Sequence, residues 1–236
     1  KPQAFHDVPI TRSGGLGIMI CLSIFFGIYY LIYSEILYNY ILLSASMFLV
    51  GFLDDLRINI KPFKRLLLMI FSLLFLIYFL PIEIFYINIP ILKTLLKNDV
   101  FAAFFALLCF LFIINGANLI DGFNGLLTIN ILIINIILVY INSNNDNIQF
   151  SFLIISQIII LLSFLLFNFP SAKIFLGDGG AYILGSIVAL NIIITNNLNP
   201  DISSFFFCTL LFYLFFEVFF SFFRKIYQRK SPIHPD

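Results

Sequence analysis

The chain has 236 residues, 61% of them hydrophobic and 11% charged, with a formal net charge of +1 and a mean hydropathy of +1.07. Soluble globular domains carry about 25% charged residues, so these figures exclude an ordinary soluble domain and leave a membrane protein with many spans. A charge this close to zero gives no ground for nucleic acid or an acidic partner.

A span needs roughly 17–25 mainly apolar residues. In chain order, eight stretches qualify, near 15–33, 36–53, 66–82, 100–115, 125–142, 150–168, 180–196 and 202–223. They predict an all-α, polytopic helical bundle forming a single domain over 1–236. Between the third and fourth, "IEIFYINIP" (82–90) alternates weakly and reads as a small strand or hairpin outside the bilayer. The three cysteines, Cys21, Cys109 and Cys208, lie inside apolar runs without CxxC or metal-ligand spacing and read as small buried hydrophobes. The chain shows no signal peptide and opens without Met, so it reads as a piece of a longer protein, cut at both ends.

Eight spans leave nine polar segments on alternating sides. The odd segments hold Lys1, Arg12, Arg57, Lys61, Lys64, Arg65, Lys173, Arg224, Lys225, Arg229 and Lys230, and the even ones only Lys93 and Lys97. By the positive-inside rule the odd side faces the cytoplasm. The unusual polar stretches, "PITRSGG" (9–15), "GFLDDL" (51–56), "NGANLIDGFNG" (115–125) and "NFPSAKIFLGDGG" (168–180), all lie on that side. "NSNNDN" (142–147) and "TNNLNPD" (195–201), on the other, read as plain turn chemistry.

Each cytoplasmic stretch has a chemical and a plain reading. Asp54 and Asp55 are adjacent, and carboxylates about 5 Å apart repel by roughly 3 kcal/mol at an effective dielectric of 20. A hard cation such as Mg2+ offsets that, as does a solvated helix end with Arg57 and Lys61. Asp178, between two glycine turns at the start of a span, suits a metal ligand near helix amides that face an anion, or simply an N-cap. Phe175 suits stacking on a flat ring, or the core. Asn115, Asn118, Asp121 and Asn124 carry the donors and acceptors that read a base or sugar, with Gly122 and Gly125 permitting close approach, or they form a tight turn. His6 and His234 carry no reading of their own. Glu217, within the last span, reads as paired inside the bundle with Arg224 seven residues on.

With those four stretches in order, the chain resembles the polyprenyl-phosphate N-acetylhexosamine-1-phosphate transferases (glycosyltransferase family 4). These relatives include the phospho-muramoyl-pentapeptide translocases and the GlcNAc-1-phosphate transferases of O-antigen and teichoic-acid synthesis. "HDVPITRSGG" resembles the family's first cytoplasmic loop and "GFLDDL" its paired-aspartate motif, with "KPFKRLLL" carrying the lysine that follows. "NGANLIDGFNGL" resembles the NxxNxxDGxDGL signature, and "NFPSAKIFLGDGGAYILG" the block built on N-x-P-x-A-x-x-F-x-GD.

The resemblance implies transfer of a sugar-1-phosphate, such as GlcNAc-1-phosphate, from a UDP-sugar to polyprenyl (undecaprenyl) phosphate in the bacterial inner membrane. UMP leaves, Mg2+ or Mn2+ assists, and a homodimer is plausible for the family. It implies catalytic roles for Asp54, Asp55, Asp121 and Asp178, with Asp178 and Asp55 as metal ligands. Asn118 belongs to the polar floor. Gly122, Phe123, Asn124 and Phe175 belong to the uracil pocket. Lys64 and Asn168 approach the phosphates, and Arg12 and Lys173 contact phosphate or sugar. Three departures stand out: Asn124 replaces a usual Asp, "GDGGA" lacks two hydroxyls, and the family's histidine cluster is absent from "SPIHPD". The alternatives are a secondary transporter, which places ionisable residues at mid-membrane, and a catalytically dead scaffold of a glycan-assembly complex.

Overall fold

The computed structural model describes residues 10–56, 58, 60–80, 87 and 89–229. His6, Arg57, Lys230, His234 and most of the 82–90 stretch lie outside them. Among the described residues all regular structure is helical: α1 (Gly14–Tyr33), α2 (Tyr38–Asp55), α3 (Pro62–Phe79), α4 (Pro90–Leu95), α5 (Asp99–Ile120), α6 (Leu126–Asn144), α7 (Ile148–Asn168), α8 (Gly177–Leu198), α9 (Ser204–Leu210) and α10 (Phe212–Tyr227).

A helix runs through each of the eight apolar stretches as far as its residues are described, but the count of spans differs from the sequence reading. Among the described residues six helices, α1, α3, α5, α6, α7 and α8, are long and apolar enough to cross a membrane. The pair α9 and α10, bent by 62°, makes a seventh if taken as one broken span. The second stretch, α2, is not among them, because its 18 residues open on Tyr-Asn-Tyr and close on the aspartate pair. The chain is a multi-pass membrane protein, and α2 is carried within the bundle by its neighbours rather than by its own hydropathy.

Helix α8 is the axis. It packs against α1, α2, α5 and α6, and 83% of its most apolar window is buried. Its small residues permit this. A Cβ on Gly51 of α2 would lie 2.5 Å from the Gly179 Cα and N, so the two backbones are in direct contact. Between helices in lipid, close packing of small residues takes the place of the hydrophobic drive. Polar ties reinforce it. Tyr40 Oη donates to Asn191 Oδ1 at 2.7 Å, and Asn191 Nδ2 donates to Gln157 Oε1 at 2.6 Å and Asn135 Oδ1 at 3.3 Å. This knot joins α2, α6, α7 and α8, and all four side chains are buried.

The outer surface is apolar, with Leu31, Phe71, Tyr78 and Leu166 among its exposed side chains. The cysteines correct the sequence reading. Cys21 and Cys208 are exposed and Cys109 half-buried, since a surface that meets lipid tolerates apolar groups as well as the core does. In α10, Tyr213 stands one helical turn before Glu217, and Arg224 lies over the Phe220 ring at 5.9 Å.

Candidate active site

The starts of α1, α3, α6 and α8 and the ends of α2, α5 and α7 meet at one end of the bundle. Backbone bonds tie the first of these to the last. Gly14 N donates to Phe175 O at 2.9 Å, Gly15 N to Leu176 O at 2.8 Å, and Phe175 N to Thr11 O at 2.9 Å. The segment leading into α8 is therefore held by the start of α1 before the helix begins.

Helix α8 has no capping side chain from its own Leu176; α2 supplies one. Asp55 Oδ1 accepts from Asp178 N at 3.0 Å and Oδ2 from Gly179 N at 2.9 Å. A carboxylate on the first amides of a helix satisfies donors that have no intrahelical partner and sits at the positive end of the helix dipole. Gly177 makes room for it. Its φ is +78°, and a Cβ there would stand 2.7 Å from Asp55 Oδ2.

Asp54, one residue earlier, turns its carboxylate to a different partner. Arg65 Nη1, from the first turns of α3, lies 3.0 Å from Asp54 Oδ2 and 2.7 Å from Asp178 Oδ2. One cationic nitrogen thus bridges carboxylates from α2 and α8. The same guanidinium lies over the Tyr182 ring, 5.7 Å from its centre. Asp121, just past the end of α5, is half-buried beside this cluster. Burial pushes its carboxyl well above the usual aspartate range, the negative charges of Asp178 and Asp55 push the same way, and Arg12 opposes them. Four carboxylates from α2, the α5 end and α8 therefore share one region with two guanidinium groups.

A second set of contacts builds the floor. Asn168, at the end of α7 and buried, accepts from Gly125 N at 2.6 Å and donates to Ile174 O at 2.8 Å. Asn124 Nδ2 donates to Pro170 O at 3.0 Å. These bonds lock the 121–125 turn onto the segment that enters α8. Asn118 is half-buried on α5 one turn before Asp121, Asn115 donates to Leu111 O within its own helix at 2.7 Å, and Phe123 is 71% exposed on the turn. Phe175 is half-buried, and Gly122, Lys173 and Arg12 are exposed.

Sequence reasoning chose Lys64 and passed over Arg65. Lys64 is exposed on the first turn of α3, while Arg65 enters the cluster. A signal was present. Met69, Leu73 and Leu76 form the buried stripe of α3, and Arg65 stands four residues before Met69, on the same face. Asn168, placed near phosphates by resemblance, has both ends of its amide engaged within the protein.

Residues 37–196 match the family model described as glycosyl transferase family 4, and the chain belongs to that family. It is 34% identical over 149 residues to the phospho-N-acetylmuramoyl-pentapeptide-transferase of Clostridium perfringens strain 13, covering 60% of this chain and 47% of that one. It is 26% identical over 231 residues to the undecaprenyl-phosphate alpha-N-acetylglucosaminyl 1-phosphate transferase of Thermotoga maritima, covering 98% and 66%. A Clostridioides difficile phospho-N-acetylmuramoyl-pentapeptide-transferase is 26% identical over 212 residues, covering 80% and 63%. The chain spans about half to two thirds of the length of these relatives.

Proposed function

We propose that this protein transfers a sugar-1-phosphate, with GlcNAc-1-phosphate as the preferred case, from a UDP-sugar to polyprenyl phosphate. A lipid phosphate oxygen bonds to the β-phosphorus of the nucleotide sugar. The bond from that phosphorus to the oxygen bridging it to the α-phosphorus breaks, and UMP leaves with the electron pair. The lipid keeps the sugar on a new pyrophosphate. The single observation that carries this reading is the convergence of Asp54, Asp178 and Asp121 with Arg65 and Arg12 at one end of a membrane bundle. Such a cluster suits a reaction whose chemistry is mostly positioning and neutralisation of phosphate charge.

Asp54 and Asp178 suit a divalent metal cation. Their Oδ2 atoms already point at one positive nitrogen, and Mg2+ takes one or two carboxylates and fills its shell with water and substrate phosphates. Among the described residues no group of three His, Cys, Asp or Glu is placed to hold a metal, so in this reading substrate phosphates and water supply the remaining ligands. Bound there, the ion supplies neutralisation of the charge that develops on the pyrophosphate. Asp55, assigned by resemblance to the metal, acts in this reading on α8, holding Asp178 in place through the helix amides.

The other residues bind. Asn124 is oriented by its bond to Pro170, so its Oδ1 is left to accept from the uracil N3–H, with Phe123 and Phe175 flanking the ring and Gly122 admitting it. Asn118 and Asp121 form the polar floor. Arg12, Lys64 and Lys173 ring the opening as cations for the phosphates. No general base is needed, because a phosphate monoester with a second pKa near 6 is mostly doubly ionised at pH 7. The side is cytoplasmic, in keeping with the basic residues gathered there. The N-acetylglucosaminyl donor is favoured over the muramoyl one because the alignment with the Thermotoga maritima protein runs through 98% of the chain.

The test uses the whole coding sequence, purified into lipid nanodiscs with UDP-GlcNAc, undecaprenyl phosphate and Mg2+. UMP release is expected, dependent on all three and reduced at least 100-fold in Asp178→Asn. A transporter or a scaffold releases none, and UMP from UDP-MurNAc-pentapeptide alone would overturn the choice of sugar.

A further inference from the structure

Arg65 stands where the site has its strongest claim on positive charge. A single nitrogen, Nη1, lies within 3.0 Å of Asp54 Oδ2 and 2.7 Å of Asp178 Oδ2, so both oxygens are directed at the same point. The remaining Asp55 oxygens face the α8 amides. The guanidinium therefore fills the one position that the two carboxylates share. It also has a second surface to rest on, the face of the buried Tyr182 ring 5.7 Å away. Its long stem rises from the first turns of α3 on the same stripe as buried Met69 and Leu73, so the head can shift while the stem stays packed.

We propose that Arg65 is a tethered counter-ion which holds the place between Asp54 and Asp178 until a divalent metal cation takes it, so that the ion and the guanidinium exclude each other from the carboxylate pair. The inference rests on the reading of Asp54 and Asp178 as the metal-holding pair. Two cations cannot occupy one point between the same two oxygens, and a divalent ion interacts with each carboxylate about twice as strongly as a monovalent one at equal distance. Without metal, Arg65 keeps the carboxylates from repelling one another and α2, α3 and α8 together. When the ion enters, the guanidinium is released beside it with its planar fork of donors free, the geometry that matches a phosphate. Arg65 thus sets the order of events: its fork is offered to the donor's phosphates only after the cation is in.

The experiment uses Mn2+ as the probe, with the whole protein in nanodiscs and neither nucleotide nor lipid phosphate added. Binding is read from the free Mn2+ electron paramagnetic resonance signal. Arg65→Gln removes the competitor and is expected to tighten Mn2+ binding about fivefold, the scale of one partly exposed ion pair. Lys64→Gln removes the same charge from the neighbouring, exposed position and is expected to change it by less than about twofold. Affinity in Arg65→Gln that is no higher than in Lys64→Gln, or lower than wild type, overturns the proposal.

A second measurement needs no variant. Phenylglyoxal modification of Arg65 in the wild-type protein, followed by peptide mass spectrometry, is expected to speed up when Mn2+ is added. An unchanged or slower rate overturns the proposal even if the variants fail to fold. Loss of the affinity gain with UMP release intact removes this inference alone. A gain in affinity in Arg65→Gln with no UMP release from the wild-type protein removes the catalytic reading and leaves the exchange of cations standing.

Discussion

Asp55 and Gly177 illustrate how much the site depends on single atoms. The carboxylate reaches the α8 amides only because residue 177 has no side chain and adopts φ +78°. Gly177→Ala brings a methyl group to 2.7 Å from Asp55 Oδ2 in a backbone region that L-residues avoid. It is expected to lower stability by about 2 kcal/mol or more, seen as a drop in melting temperature in detergent, and to cut UMP release with it. Asp121 provides a prediction of opposite character. Its folded carboxyl titrates above the ordinary aspartate value of 3.8, so the folded protein binds that proton more tightly than the unfolded chain. The stabilisation is complete below 3.8 and is lost as pH rises through the raised value. In EDTA the melting temperature is expected to fall with rising pH across that window, and Asp121→Asn is expected to flatten the dependence. A wild-type curve that rises there contradicts the assignment.

At the scale of elements, the helices were legible and their partners were not. Long apolar runs located the helices because lipid demands them, although eight were read as spans and six are long and apolar enough among the described residues, and glycine-bounded polar stretches pointed to the four segments that meet at the candidate site. The aspartate pair read as one unit, yet the structure divides it, with Asp54 on Arg65 and Asp55 on α8. That division depends on the roughly 100° between successive residues on a helix and on where α8 lies, neither of which is local. The buried knot of Tyr40, Asn135, Gln157 and Asn191 was illegible for the same reason: its members come from four helices, and each looked like one polar residue in an apolar run. Asn191→Leu keeps the branched shape of the side chain, with bulkier methyl ends, and strips partners from three buried groups. A loss of about 1–3 kcal/mol is expected by thermal or SDS unfolding in micelles. Ser163→Ala, whose hydroxyl bonds Ile159 O of its own helix, should change little.

For the molecule as a whole, α8 joins the core of the bundle to the candidate site. It is the packing axis of the bundle and carries Asp178 into the site on its second residue. Rigidity at the centre thus becomes precision at the end, since the start of α1 holds the segment that enters α8 and the end of α2 grips the first amides of the helix. The central claim is that this end of the bundle moves a phosphoryl group together with its sugar, and the most direct measurement follows the β-phosphorus. With UDP-GlcNAc carrying 32P in the β-phosphate, the account predicts that label and sugar enter the undecaprenyl product together and that the released nucleotide is unlabelled UMP. Label left in the nucleotide while the sugar reaches the lipid, or no label in lipid at all, would contradict it.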